Sequence, residues 1–248
     1  MIKVERRKKK RRKISLTVIL GVLIVLAIAA LIIMKVFRVR DVEVEGNKLY
    51  DSKMIEDTVL NDEYSWNSLY VFLKYRFTDP KSIPFVDTME ITLKNPHTLH
   101  ITVYEKGIVG YIFIPSINEN AYFDKDGFVV ETSSDVIPDI PMIQGINCDQ
   151  VVLYEQLPID GDTLKELLSL TQTLKKYNLI PDSITYGVDN APVLAYGSIQ
   201  VMIGDTTQLT PKIERVSKIM PNLEGLSGVL HMENWTENTT NIVFDKTE

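Results

Sequence analysis

Residues 14–34 read ISLTVILGVLIVLAIAALIIM, an uncharged run of 21 whose only polar side chains are Ser15 and Thr17. A helix rises about 1.5 Å per residue, so a helix of this length is about 30 Å long, the thickness of a bilayer's hydrocarbon layer. The run predicts a single transmembrane helix at 14–34. The segment before it is short and basic; the long segment after it is soluble in character.

The flanks set an orientation. Residues 1–13 hold nine basic side chains, Lys3, Arg6, Arg7, Lys8, Lys9, Lys10, Arg11, Arg12 and Lys13, against one acid, Glu5. This arm carries +8 and the whole chain −6, so residues 14–248 carry −14. Lys and Arg beside a membrane helix stay in the cytoplasm. The expected topology is therefore single-pass type II, with a cytoplasmic arm and an extracytoplasmic domain. Basic runs also bind anionic headgroups or nucleic acid. A topology signal abutting an apolar span already accounts for this one, and no nucleic-acid partner is expected. The triplet Ala27-Ile28-Ala29 has the small-x-small form of a signal-peptide cleavage site. The apolar run continues past it to Met34, however, whereas a signal peptide is cleaved beyond an apolar core of about 7–15 residues. The segment reads as a retained anchor.

Beyond the anchor, 214 residues suffice for one large or two small domains. The composition, 45% apolar and 24% charged, is that of a folded protein. The single cysteine, Cys148, excludes an intrachain disulfide and reads as a small buried hydrophobe.

Strand and helix periods then alternate. Val42 and Val44 interleave with charges and Gly46-Asn47 ends that strand. Asp51 or Ser52 caps a short helix with Met54, Ile55, Val59 and Leu60 on its apolar face. Asn67 or Ser68 caps a second, in which Leu69, Phe72, Leu73 and Phe77 recur near helical spacing. Met89, Ile91 and Leu93 alternate, Asn95-Pro96-His97 turns, and Leu99, Ile101 and Val103 alternate again. Residues 36–106 thus predict β-α-α-β-β, a short sheet covered on one face by two helices.

Residues 107–233 predict a mixed, β-rich domain with two helices. Ile108–Ile114 is a strand, and Ala121–Phe123 and Phe128–Val130 form a hairpin turning at Asp126-Gly127. Asp124-x-Asp126-Gly127 lacks the remaining ligands of a calcium loop and reads as a plain turn. Ile140–Gly145 reads as a loop or short edge strand. One helix starts near Asp160 or Asp162, with Leu164, Leu167, Leu168, Leu174 and Tyr177 on its face. Strands follow at Val193–Tyr196 and Ile199–Ile203. A second helix carries Leu209, Ile213, Val216 and Ile219, and Val229–Glu233 reads as the last strand. Residues 234–248 form a polar C-terminal tail, either flexible or adding to a sheet. The fold class is α+β.

No catalytic signature emerges. His97 sits in a turn, His100 on the polar phase of a strand and His231 in the last strand. No His/Cys/carboxylate set has metal-ligand spacing, and no nucleophile elbow, P-loop or dinucleotide fingerprint occurs. The reading is a binding protein without enzymatic activity, cofactor, metal or small-molecule substrate. The cheapest docking mode is strand addition to an open sheet edge. The candidate partner-binding residues are Val229, Leu230, His231, Met232, Glu233 and Asn234. The alternative at the same place is that the strand closes the core and the tail covers its edge.

Several pieces resemble, in order, the bacterial division proteins FtsQ and DivIB. They are the basic arm and single anchor, then Phe37-x-Val39-x-x-Val42-x-Val44-x-Gly46, and Ile83-Pro84-Phe85-Val86 with Met89–Leu93 after it. Pro96-x-Thr98-Leu99-x-Ile101-x-Val103-x-Glu105 is similar to the family's P-x-T-L-x-I-x-V-x-E signature and is the most specific piece. Phe123-Asp124-x-Asp126-Gly127, Pro141-Met142-Ile143-x-Gly145 and Ile199-x-Val201-x-Ile203-Gly204 with Lys212 also fit. The resemblance implies that residues 36–106 are a POTRA domain, with a β domain and a variable tail after it. It implies a non-enzymatic scaffold of the divisome, enriched at the septum and bound to small single-pass proteins of the FtsB/DivIC and FtsL type. In the family the FtsB/DivIC contact involves the end of the β domain, here near Val229 to Asn234. The rival reading is a POTRA-bearing export or envelope-assembly component, which usually carries tandem modules or a barrel; neither is evident here.

Overall fold

The computed structural model describes residues 2–187, 189–239 and 241–247, with side chains from residue 17 onward. The basic arm's side chains, Ile14, Ser15 and Leu16 lie outside this description. The chain divides into two compact units, Met1–Glu105 and Lys106–Glu248.

The first unit opens with helix α1, Ile2–Val36. Its apolar part, Thr17–Val36, is 20 residues of mean hydropathy 3.1, and none of its apolar window is buried by protein. It is long and apolar enough to span a membrane. Strand β1 (Asp41–Glu45), helices α2 (Ser52–Val59) and α3 (Ser68–Phe77), and strands β2 (Val86–Asn95) and β3 (Thr98–Glu105) come next. The sheet order is β1-β3-β2, with β1 parallel and β2 antiparallel to β3. Asp51 caps α2, accepting from the Met54 amide at 2.8 Å, and Asn67 caps α3, accepting from Tyr70 at 2.9 Å. Ile55, Val59 and Val71 from the helices meet Ile91, Leu99, Ile101 and Val103 from the sheet in one core.

Gly46 ends β1 with φ +86°, where a Cβ would stand 2.3 Å from the Val103 carbonyl oxygen. Only glycine combines that left-handed backbone with so close an approach. The turn it makes is capped from a distance: the Glu105 carboxylate accepts the Lys48 and Leu49 amides at 2.5 and 2.7 Å.

Helix α3 departs from its sequence reading. Ser68 and Val71 are buried, whereas Leu73 and Phe77 face solvent. The helix is apolar on both sides, so periodicity alone did not select the face that meets the sheet.

The second unit holds one sheet of nine strands: β4 (Ile108–Ile114), β5 (Glu119–Asp124), β6 (Val129–Ser133), β7 (Met142–Gln144), β8 (Ser183–Tyr186), β9 (Pro192–Tyr196), β10 (Ile199–Met202), β11 (Gly228–His231) and β12 (Val243–Lys246). The order across it is β12-β11-β10-β9-β8-β7-β4-β5-β6. Helices α4 (Gly161–Lys176) and α5 (Leu209–Ile219) pack on each other and complete the core. Leu164, Leu167, Leu170 and Leu174 of α4, and Leu209, Ile213 and Val216 of α5, are buried in it.

Three sequence expectations change here. Met142–Gln144 is interior, pairing in parallel with both β4 and β8, and is no edge strand. Strand β8 was not anticipated. The 234–248 segment contributes β12, antiparallel to β11, so Val229–Glu233 is not the last strand. At the β5–β6 turn, Asp124 Oδ1 accepts the amides of Asp126 and Phe128 at 3.0 and 2.9 Å, a self-capped turn. Cys148 is buried.

Leu167 is fully buried at the centre of the second core. Leu167→Ala should lower the unfolding free energy by about 2–5 kcal/mol, read as a shifted urea midpoint. A change under about 1 kcal/mol would contradict the packing described.

Candidate docking edge

The residues from 228 to 234 alternate as a strand with one face in the core. Leu230 is 1% exposed and Met232 0%, while Val229, His231 and Glu233 are half-buried on the outer face and Asn234 is exposed. Both edges of β11 are occupied. It pairs in parallel with β10, Val201 opposite Leu230, and in antiparallel with β12, Leu230 opposite Phe244. The Met232 amide extends the first ladder by donating to the Met202 carbonyl at 2.9 Å. Strand addition to β11 itself is therefore closed. Leu230 and Met232 are core side chains, which leaves Val229, His231, Glu233 and Asn234 accessible.

The open edge is one strand further out. β12 pairs only with β11 among the described residues. Its Phe244 packs against the core, and Val243 and Asp245 are exposed. Gly228 makes the pairing possible: a Cβ there would stand 2.3 Å from the Asp245 carbonyl oxygen and 2.8 Å from the Phe244 ring. The opposite edge of the sheet is covered at the start of β6. Val129 of β6 donates to the Glu155 carbonyl at 2.9 Å, Tyr154 donates to that of Val129 at 2.7 Å, and Lys106 Nζ donates to that of Val130 at 2.8 Å.

A histidine links the two outer strands. His231 Nδ1 lies 3.0 Å from Glu233 Oε1 and its Nε2 lies 3.2 Å from Asp245 Oδ2. The hydrogen bond to Glu233 raises the imidazole above its ordinary value; the charges of Glu233 and Asp245 add to this, and partial burial opposes it. The protonated ring thus ties β12 to β11.

The group beneath this corner entered the sequence reading only as part of the family resemblance, and its burial was not anticipated. Lys212 of α5 is 2% exposed. Its Nζ donates to the Ile203 and Asp205 carbonyls at 3.1 and 2.9 Å and to Asp205 Oδ1 at 3.1 Å. A lysine buried this far is held by such partners. They fix the loop after β10, whose Gly204 leaves a Cβ only 2.6 Å from the Glu233 Cα. The Asp205 carboxyl is held below its usual value, first by the Thr207 hydroxyl and then by Lys212. Trp235 is half-buried against the core with its indole N–H closed off from solvent. An open groove of about 570 Å³ beside this loop is lined by Glu166, Asp189, Asp205 and Glu233. Among the described residues no group of three His, Cys, Asp or Glu side chains is placed to hold a metal ion. In the first unit, His100 lies 3.4 Å from Glu45 and 3.7 Å from Glu43.

No family model matches the chain, and no curated protein matches it.

The His231 tie has a definite pH dependence. A group whose pKa is raised on folding stabilises fully below its unfolded value, near 6.5, and loses that contribution as pH rises through the folded value. His231→Gln should therefore lower β12 amide protection against hydrogen exchange at pH 6, relative to wild type at the same pH. The difference should vanish well above neutrality. Gly228→Ala, which acts by crowding, should lower β12 protection at every pH. An equal loss for His231→Gln at both ends of the range would contradict the ionic tie.

Proposed function

We propose that this chain is a bitopic membrane scaffold of the bacterial divisome, of the FtsQ/DivIB type. In this reading a POTRA domain and a β domain stand outside the cytoplasm and dock FtsB/DivIC-like and FtsL-like single-pass proteins at the septum. The observation that carries the docking half of the reading is the open outer edge of β12 on a sheet whose other edge is capped at Val129 and Val130. A partner strand can add there through main-chain hydrogen bonds, with Val243 and Asp245 exposed beside it. The candidate site therefore moves outward from β11, and Val229, His231, Glu233 and Asn234 become its flank.

The division half of the reading rests on the sequence resemblance, and its most specific piece has a physical account. In Pro96-x-Thr98-Leu99-x-Ile101-x-Val103-x-Glu105, Pro96 turns the chain and Thr98 is buried. Leu99, Ile101 and Val103 fill the core, and Glu105 caps the turn after β1. The β-α-α-β-β order of this unit is compatible with a POTRA domain. The reading includes no catalytic step, cofactor or small-molecule substrate.

The test is in-cell photocrosslinking of the full chain from Val243 and from Ser133 on the opposite outer strand β6, together with imaging of a tagged copy. We expect small single-pass membrane proteins captured from Val243 and not from Ser133, with the tag enriched at the septum. An even envelope distribution with no such partner at Val243 would overturn the proposal.

A further inference from the structure

The first unit exposes an apolar, aromatic face at the foot of α1. Tyr64, Trp66, Tyr70, Leu73 and Phe77 are all exposed, Phe77 by 83%. Tyr70, Leu73 and Phe77 recur at i, i+3 and i+7 along α3, opposite the buried Ser68 and Val71. The Tyr64 and Tyr70 rings meet at 5.6 Å. Five such exposed side chains within 14 residues are more than a surface in water calls for.

Backbone hydrogen bonds fix where this face sits. The Val39 amide donates to the Trp66 carbonyl at 2.8 Å, and the Ser68 amide to the Phe37 carbonyl at 2.7 Å. The Asn67 amide side chain donates to the Ile33 carbonyl, inside α1 itself, at 3.2 Å. The Ser68 hydroxyl donates to the carbonyls of Phe37 and Pro96, joining the same point to the β2–β3 turn. Trp66 and the start of α3 are thereby held within three residues of the end of the apolar segment, Thr17–Val36.

We propose that this face lies on the surface of the bilayer that holds α1, so that the first unit rests on the lipid. The proposal rests on the reading of α1 as a membrane span. The chemistry suits the interface: Trp and Tyr collect at headgroup depth, and Phe and Leu reach the acyl boundary. Lys35, Arg38 and Arg40 stand exposed at the same junction, with Arg76 on α3, and suit anionic headgroups. Of the acids beside the face, Asp62 is held by Lys74 Nζ at 2.8 Å and by the Tyr70 hydroxyl at 3.0 Å, while Glu63 and Asp79 are exposed at its margins. With α3 laid along the surface, Tyr70, Leu73 and Phe77 come to one depth.

The test reconstitutes the full chain in vesicles of phosphatidylcholine and phosphatidylglycerol and tracks tryptophan emission. Trp66 and Trp235 are the two tryptophans, so the signal of Trp66 is the difference between wild type and Trp66→Phe. With lipids brominated near the headgroup end of the acyl chains, we expect a roughly two-fold drop in the Trp66 emission, consistent with interfacial depth. Bromine near the chain ends should quench it less. The double variant Leu73→Ser, Phe77→Ser, altered only at exposed positions, should fold and show weaker quenching. Vesicle flotation separates the two ways of failing. A chain that floats while its Trp66 ignores brominated lipid overturns this inference alone, whether aqueous acrylamide reaches the ring or a protein partner covers it. A chain that does not float overturns the membrane-span reading, and this inference with it.

Discussion

Water cannot be kept off the apolar helix by the rest of this protein. Thr17–Val36 has the length and hydropathy of a membrane span and no protein packed around it. Exposing such a surface to water costs about 25 cal/mol per Å² of apolar area, a cost that a bilayer's hydrocarbon would remove. The rest of the molecule is arranged around the consequence. The chain leaves α1 at Phe37, and the pairing of Phe37–Val39 with Trp66–Ser68 passes the position of the helix directly into the first unit's core. Asn67 caps α3 with its carbonyl oxygen and bonds to α1 with its amide nitrogen. One buried side chain thus serves both elements.

The second unit answers a different requirement. A nine-stranded sheet has two edges whose backbone groups need partners. On the β6 side the segment 154–156 and Lys106 supply them at Val129 and Val130. On the β12 side the outer strand is held from within by Phe244, by the space that Gly228 leaves and by His231. Its outward groups remain available. Stability comes from Leu230, Met232 and the α4–α5 leucines inside. The outer strand contributes little to the core, so it can move without disturbing the rest of the sheet.

Much of this was legible in the residues. Alternating Val42/Val44, Met89/Ile91/Leu93 and Leu99/Ile101/Val103 gave the first unit's strands because each has one face in the core. The two long helices of the second unit were legible for the same reason. Strand β7 is three residues long and comes directly after Pro141, so it has no period to read. Strand β8, Ser-Ile-Thr-Tyr, alternates for too few residues to stand out. In β12 the core contact is Phe244 alone, between Val243 and Asp245 that face solvent, and so short a strand left a flexible tail and an added strand both open. Of the two readings of 229–233, the one in which the strand closes the core and the tail covers its edge is what the structure shows. The alternation within 229–233 was correct, yet its inward members, Leu230 and Met232, belong to the core. Lys212 was invisible as a buried group, since an amphipathic helix ordinarily keeps its lysines in water.

The central claim is that an uncut α1 holds an extracytoplasmic body at the membrane. It can be tested by labelling intact cells with a membrane-impermeant maleimide after Glu224→Cys. Glu224 is exposed, and the native Cys148 is buried and gives little background. The account predicts labelling of Cys-substituted chain in whole cells, all of it in the membrane fraction and still carrying its basic arm. Labelling only after lysis, or a labelled chain free of the membrane that begins near Ala30, would contradict it.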